Sequence, residues 1–211
     1  MLPVGGKPIL EHTIAALHNN NIPRITLILG HGASEIKNYF GEKIQSLFNP
    51  HYRDSGILVS IAAAAKDFSN KEFLLLMGDN LQDIRIISRV LQQQGDIVVA
   101  VEKKECDEED SKVMIDQGTI AKMGKDIPLD AATAEFAMLI KFSAKGSLVF
   151  FNTIEKFIQE GKANAYLMDA LNSIIAQGTP LIPVFTNPFP RIEIDTPKDL
   201  ERAKELINKM E

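Results

Sequence analysis

The sequence predicts an α/β fold in layers, built on a mostly parallel sheet. Two observations carry this. Short apolar runs alternate with stretches of helical periodicity, the spacing expected of βαβ units. The strand-like runs, Phe73–Met77 and Ile97–Val101 above all, are continuously apolar rather than alternating, which suits strands covered on both faces.

The elements follow in order. Pro8 can open a helix at its first turn, with Ile9, Ile14 and Leu17 on its apolar face. Arg24–Leu29 reads as a buried strand between Pro23 and Gly30-His31-Gly32. Ala33–Tyr39 reads as a helix with Ser34 as its cap, and Ile44–Phe48 as a short strand. Gly56–Ala65 is a helix of small residues, followed by strand Phe73–Met77, helix Ile84–Gln93 and strand Ile97–Val101. Glu102–Lys112 is charged and reads as a solvated loop, with metal binding by Asp107-Glu108-Glu109-Asp110 as the other reading. Lys112–Ile115 and Thr119–Met123 flank the turn Asp116-Gln117-Gly118 as a hairpin. Ala134–Phe142 is a strand, two helices follow near Lys145–Glu160 and Ala163–Gln177, and Leu181–Phe185 is a strand. The last helix starts at Thr196, with Pro197 in its first position and Asp199 within capping distance.

A chain of 211 residues, 45% hydrophobic and 24% charged, suits one soluble domain spanning 1–211. Its net charge of -5 argues against a nucleic-acid partner, which needs a basic face. Cys106 is the single cysteine, so a disulfide framework and a thiolate zinc site are excluded. It has no neighbouring base in sequence that would mark a nucleophile. No apolar stretch approaches the ~20 residues of a membrane span, and no basic-then-apolar leader opens the chain. The expected compartment is the cytoplasm, with no membrane partner; a homodimer is compatible with the sequence.

Two aspartates stand at strand exits. Gly78-Asp79 follows Phe73–Met77, and Asp195 follows Ile192-Glu193-Ile194. Ligands of open parallel sheets gather beyond the carboxyl ends of strands. Magnesium takes one or two protein carboxylates and leaves room for phosphates and water, so Asp79 and Asp195 can share Mg2+. Spacing alone also admits a plainer reading, with Asp79 a turn residue and Asp195 a helix-start acid. His31 and His51 read as loop histidines.

Taken together, these segments resemble the sugar-phosphate nucleotidyltransferase and phosphocholine cytidylyltransferase family. Leu2-Pro3-Val4-Gly5-Gly6-Lys7-Pro8-Ile9-Leu10-Glu11 is similar to the family segment after its phosphate loop. Gly78-Asp79 resembles the first metal aspartate, and Ile194-Asp195-Thr196-Pro197-Lys198-Asp199-Leu200 the second. Ile120–Asp126 and Ala134–Ser143 resemble the acceptor half, and Asn49–Gly56 through Ser60 the base-recognition loop.

The resemblance implies a three-layer, Rossmann-like nucleotide-binding fold with a small β-rich acceptor subdomain inserted around 102–142. It implies transfer of a nucleoside monophosphate, CMP from CTP being favoured, to a small phosphorylated acceptor: phosphocholine, aminoethylphosphonate, or a sugar or inositol phosphate. Asp79 and Asp195 would hold Mg2+. Ser55, Gly56 and Gly78 would line the nucleotide. Lys125 would meet the acceptor phosphate in a catalytic role, or be an exposed turn lysine. Glu135 would face a cationic acceptor amine, or solvent. A uridylyl- or other sugar-1-phosphate nucleotidyltransferase is the alternative within the class, and a silent nucleotide- or partner-binding scaffold the alternative outside it.

The family's first strand and glycine-rich, arginine-bearing phosphate loop precede the segment that matches Leu2–Glu11. The expectation is a truncated form of an active enzyme. Arg24–Leu29 and Phe73–Met77, the neighbours of that strand, are then expected to expose unpaired backbone groups.

Overall fold

The computed structural model describes residues 1–210. A short hairpin, β1 (Pro3–Val4) and β2 (Lys7–Pro8), turns through Gly5 and Gly6, both at positive φ. It leads into α1 (Ile9–Asn19), which buries Ile9, Ile14 and Leu17; Pro8 stands just before the first helical residue. Then come β3 (Thr26–Leu29), α2 (Ala33–Phe40) and β4 (Gln45–Phe48), with β3 and β4 paired in parallel. The cap of α2 is Gly32, not Ser34. The chain needs a left-handed residue there (φ 68), which glycine adopts without strain.

Next are α3 (Ile57–Ala62), α4 (Ala65–Phe68), β5 (Phe73–Leu76), β6 (Asn80–Gln82), α5 (Ile84–Gln92) and β7 (Ile97–Glu102). The hairpin β8 (Lys112–Asp116) and β9 (Thr119–Gly124) closes through Gln117 and Gly118, both at positive φ as a two-residue turn requires. The chain continues as β10 (Ala134–Phe142), α6 (Ala144–Gln159), α7 (Leu167–Ala176), β11 (Leu181–Phe185), β12 (Arg191–Glu193) and α8 (Pro197–Leu206).

The main sheet runs β11-β7-β10-β8-β9, with β5 also on β10. It is mixed rather than mostly parallel, because β10 lies antiparallel to β5, β7 and β8. Strand β10 returns from the β8–β9 hairpin and so enters the sheet in the reverse direction. Met138, at φ 57, sits where its register with β7 slips; this bulge lets one strand serve β8 with its first residues and β5 with its last. The β-rich stretch is thus continuous with the main sheet.

Strand β7 shows why its sequence is apolar throughout. Ile97, Val99 and Val101 pack with Leu58, Phe150 and Leu171 on one face. Val98 and Ala100 pack with Leu17, Ile86 and Val90 on the other. Successive strand side chains point to opposite faces, so a strand between two helical layers must be apolar at every position.

Three pairs stand apart from this sheet: the hairpin β1–β2, the pair β3–β4, and the antiparallel ribbon β6–β12. Ile25, at the entry to β3, and Leu74 and Leu76 of β5 pack against the same helical cluster. Yet among the described residues no strand pairing joins β3 to β5, and each is paired along one side. Among the described residues, each of these two strands therefore has one edge with no strand beside it.

Candidate metal and nucleotide site

The β6–β12 ribbon builds the site. Asp79 immediately precedes β6, and Asp195 lies between β12 and α8. Asn80 pairs with Glu193, and the Ile194 N–H donates to the Asp79 carbonyl at 3.0 Å. Helix α8 is fixed by a capping box in which the Thr196 hydroxyl accepts from the Asp199 N–H and the Asp199 carboxylate accepts from the Thr196 N–H. The chain therefore passes from ribbon to helix at Asp195 without slack.

Asp79, Glu193 and Asp195 each offer a carboxylate oxygen, and these atoms lie within 4.8 Å of one another. Glu193 was not among the expected residues. Its signal was present: Glu193 and Asp195 are two apart in a strand-like run, so they share a face. Burial pushes the Asp79 carboxyl up, and the negative charge of Asp195 adds to it. Burial, then Asp195 and Asp79, push Glu193 up to about 7, against the pull of Arg191. Three converging carboxylates with unbalanced charge make an all-oxygen donor set that fits a hard divalent cation such as Mg2+.

Behind the triad lies an ion-pair chain. Arg191, on β12, sends one guanidinium nitrogen to Glu135 of β10, and its Nε lies 2.8 Å from Glu102 Oε2 of β7, a close ion pair rather than an aligned hydrogen bond. Lys104 lies 3.5 Å from Glu135 and 2.9 Å from Asp110. Glu135 is therefore held by two cations instead of standing free. Burial pushes its carboxyl up, while Arg191 and Lys104 pull it down.

Gly78 directly precedes Asp79, and each of the remaining expected residues has its own surroundings. Lys125 follows β9, is exposed, and pairs with Glu109 at 3.2 Å. Gly78 has open space where a Cβ would stand. Gly56 is closely approached, but by protein: a Cβ there would lie 2.8 Å from the Ala163 carbonyl and 2.9 Å from Asn164 Cα. The Ser55 hydroxyl donates to the His51 carbonyl and accepts from the Asn49 amide. Asn49, the first residue of this loop and only 2% exposed, organises it. Its side-chain amide donates to Ser55 and Ser60, its side-chain oxygen accepts from the His51 N–H, and its own N–H donates to Leu29.

The acidic run is a self-bonded loop. Asp107 and Asp110 accept from loop backbone N–H groups, and buried Lys112 donates to the carbonyls of Asp107 and Glu108. Burial and Asp110 push the Cys106 thiol up, which disfavours the thiolate. No helix among the described residues is long and apolar enough to cross a membrane.

The MobA-like NTP transferase domain family matches residues 1–182. The bifunctional IPC transferase and DIPP synthase of Rubrobacter xylanophilus is 24% identical over 218 residues, covering 97% of this chain and 46% of that protein. The chain spans about half the length of the curated relatives it matches. The inositol-1-phosphate CTP transferase of T. maritima superposes with a TM-score of 0.80 at 21% identity, over 97% of this chain and 83% of that one. The CTP:phosphocholine cytidylyltransferase of Streptococcus pneumoniae gives 0.77 at 18% identity, over 97% and 87%. At these identities the two structures establish a shared fold.

Proposed function

Because the chain belongs to the MobA-like NTP transferase family, we propose that it is a nucleotidyltransferase that moves CMP from CTP to a small phosphorylated acceptor. An acceptor phosphate oxygen bonds to the α-phosphorus, the bond from that phosphorus to the α–β bridging oxygen breaks, and pyrophosphate leaves. The observation that carries this reading is the convergence of Asp79, Glu193 and Asp195 beyond strand ends. These three would hold Mg2+, which when bound neutralises phosphate charge as it develops. The ribbon's part is to fix the three carboxylates so that nucleotide and acceptor are held together. The loop Asn49–Gly56 would receive the base through its backbone, since the Ser55 hydroxyl is already engaged. Lys125 would leave Glu109 to meet the acceptor phosphate.

Glu135 bears on the choice of acceptor. A free carboxylate there would suit a cationic amine, but Arg191 and Lys104 occupy it. A polyol phosphate, such as an inositol or sugar phosphate, needs no such anion and fits this site better than phosphocholine. The name of the T. maritima structure, an inositol-1-phosphate CTP transferase, supports the same choice.

The engagement of Lys125 by Glu109 favours a second reading, a scaffold that binds nucleotide or a partner without turnover. Pyrophosphate release separates the two. It is measured with CTP, UTP, GTP and ATP against inositol 1-phosphate, glucose 1-phosphate, phosphocholine and aminoethylphosphonate, with Mg2+. Release with CTP and a polyol phosphate, lost in Asp195→Asn, supports the enzyme. No release with any pair, alongside thermal stabilisation by a triphosphate, supports the scaffold.

A further inference from the structure

The three carboxylates ride on a two-stranded ribbon that, among the described residues, has no strand pairing with the main sheet. Something must hold that ribbon at a fixed distance and angle. Arg191 begins β12, two residues before Glu193, and its side chain is 3% exposed. Its fork reaches Glu102 at the end of β7 and Glu135 near the start of β10, both strands of the main sheet. Guanidinium geometry suits this task, because a planar fork fixes direction as well as distance.

We propose that Arg191 is a positioning residue that clamps the ribbon to the main sheet and so sets the convergence of Glu193 and Asp195 on Asp79. This rests on the metal-site reading above but adds to it a residue that touches neither metal nor substrate. Lys104 extends the clamp by joining Glu135 to Asp110. The loop that carries Glu109, the partner of Lys125, is thereby tied to the same strand ends.

The sign of the effect makes the clamp testable. Arg191 is a cation close to a cation site, so by Coulomb's law alone its removal tightens metal binding. Loss of positioning weakens it. The experiment is Mn2+ binding, followed by water-proton relaxation, with thermal melts in parallel. Variants are Arg191→Met, Arg191→Lys and the charge-balanced Arg191→Met/Glu135→Met, in which the more buried carboxylate goes with its arginine and only the half-buried Glu102 loses a partner.

Wild-type protein is expected to bind Mn2+ in a manner lost in Asp195→Asn. Arg191→Met and the double variant are expected to bind about 10–100-fold more weakly, as residues that orient metal ligands do, with Arg191→Lys between. If Arg191→Met does not fold, the double variant decides. Unchanged or tighter Mn2+ binding in a folded variant overturns the clamp while leaving the metal site intact. Absence of Asp195-dependent binding in the wild type overturns both.

Discussion

The Ile194 N–H donates to the carbonyl of Asp79 at 3.0 Å, and through this bond the two chain segments that carry the acidic triad are held in register. One extra residue on either side of it would turn Glu193 away from Asp79, because strand side chains alternate. The triad is therefore a product of the β6–β12 pairing, and its consequences can be measured.

Removing a triad carboxylate should separate function from stability. Asp79→Ala and Asp195→Ala are expected to lower Mg2+-dependent pyrophosphate release by about 100-fold or more, the scale for losing a preorganised charge-stabilising group. The same changes relieve repulsion among like charges, so the metal-free melting temperature should hold or rise. Steady-state rates and thermal melts on the same samples check both halves.

Stability should depend on pH through Glu193. Its carboxyl rises from 4.5 to about 7 on folding, so between those values the folded state keeps a proton that the unfolded chain has released. Stability from this group is complete below about pH 4.5 and is lost as pH rises through about 7. The upward shift of Asp79 acts in the same direction. Metal-free melting temperatures from about pH 5 to 8 should fall with rising pH. Glu193→Gln should flatten the slope, and added Mg2+ should raise stability at the alkaline end.

Asn49 and Gly56 should act through the loop they shape. Asn49→Ala removes the acceptor of the His51 N–H and the amide donor shared by Ser55 and Ser60, and is expected to cost about 1–3 kcal/mol by urea unfolding. It should also raise the KM for the nucleotide more than that for the acceptor. Gly56→Ala forces a Cβ against Ala163 and Asn164 backbone and should cost about 1–3 kcal/mol even without nucleotide. Wild-type stability in Gly56→Ala would show that the 163–164 segment yields.

The free edges of β3 and β5 should be visible in amide hydrogen exchange. Backbone groups of β7, paired to β10 and β11, are expected to exchange only on global opening. Amides of β3 and β5 that point away from β4 and β10 should exchange orders of magnitude faster. Equal protection of all three strands would mean that the β3–β5 edges are covered in solution.

Much of this was legible from the chain. Continuous apolar runs announced the doubly covered strands, and the Thr196-Pro197-Lys198-Asp199 capping pattern placed α8. The aspartates announced themselves by standing at strand exits. What stayed hidden was tertiary. The direction of β10 depends on how the chain returns from the β8–β9 hairpin, which apolar periodicity does not encode. Glu193 joined the triad only because β6 pairs with β12, a contact between segments far apart in sequence. In sequence Glu135 reads as facing either an acceptor amine or solvent, and its pairing with Arg191, distant along the chain, is a tertiary contact. Gly56 is a glycine because two neighbouring backbone segments nearly touch.

The central claim, that the triad is where metal and triphosphate meet, is tested most directly by anomalous diffraction from crystals grown with Mn2+ and CTP. The account predicts an anomalous peak bonded to carboxylate oxygens of Asp79 and Asp195, close to Glu193, and sharing a phosphate oxygen of the nucleotide. A manganese peak in the acidic loop Asp107–Asp110 with the triad empty, or CTP bound away from the β6–β12 ribbon, would contradict it.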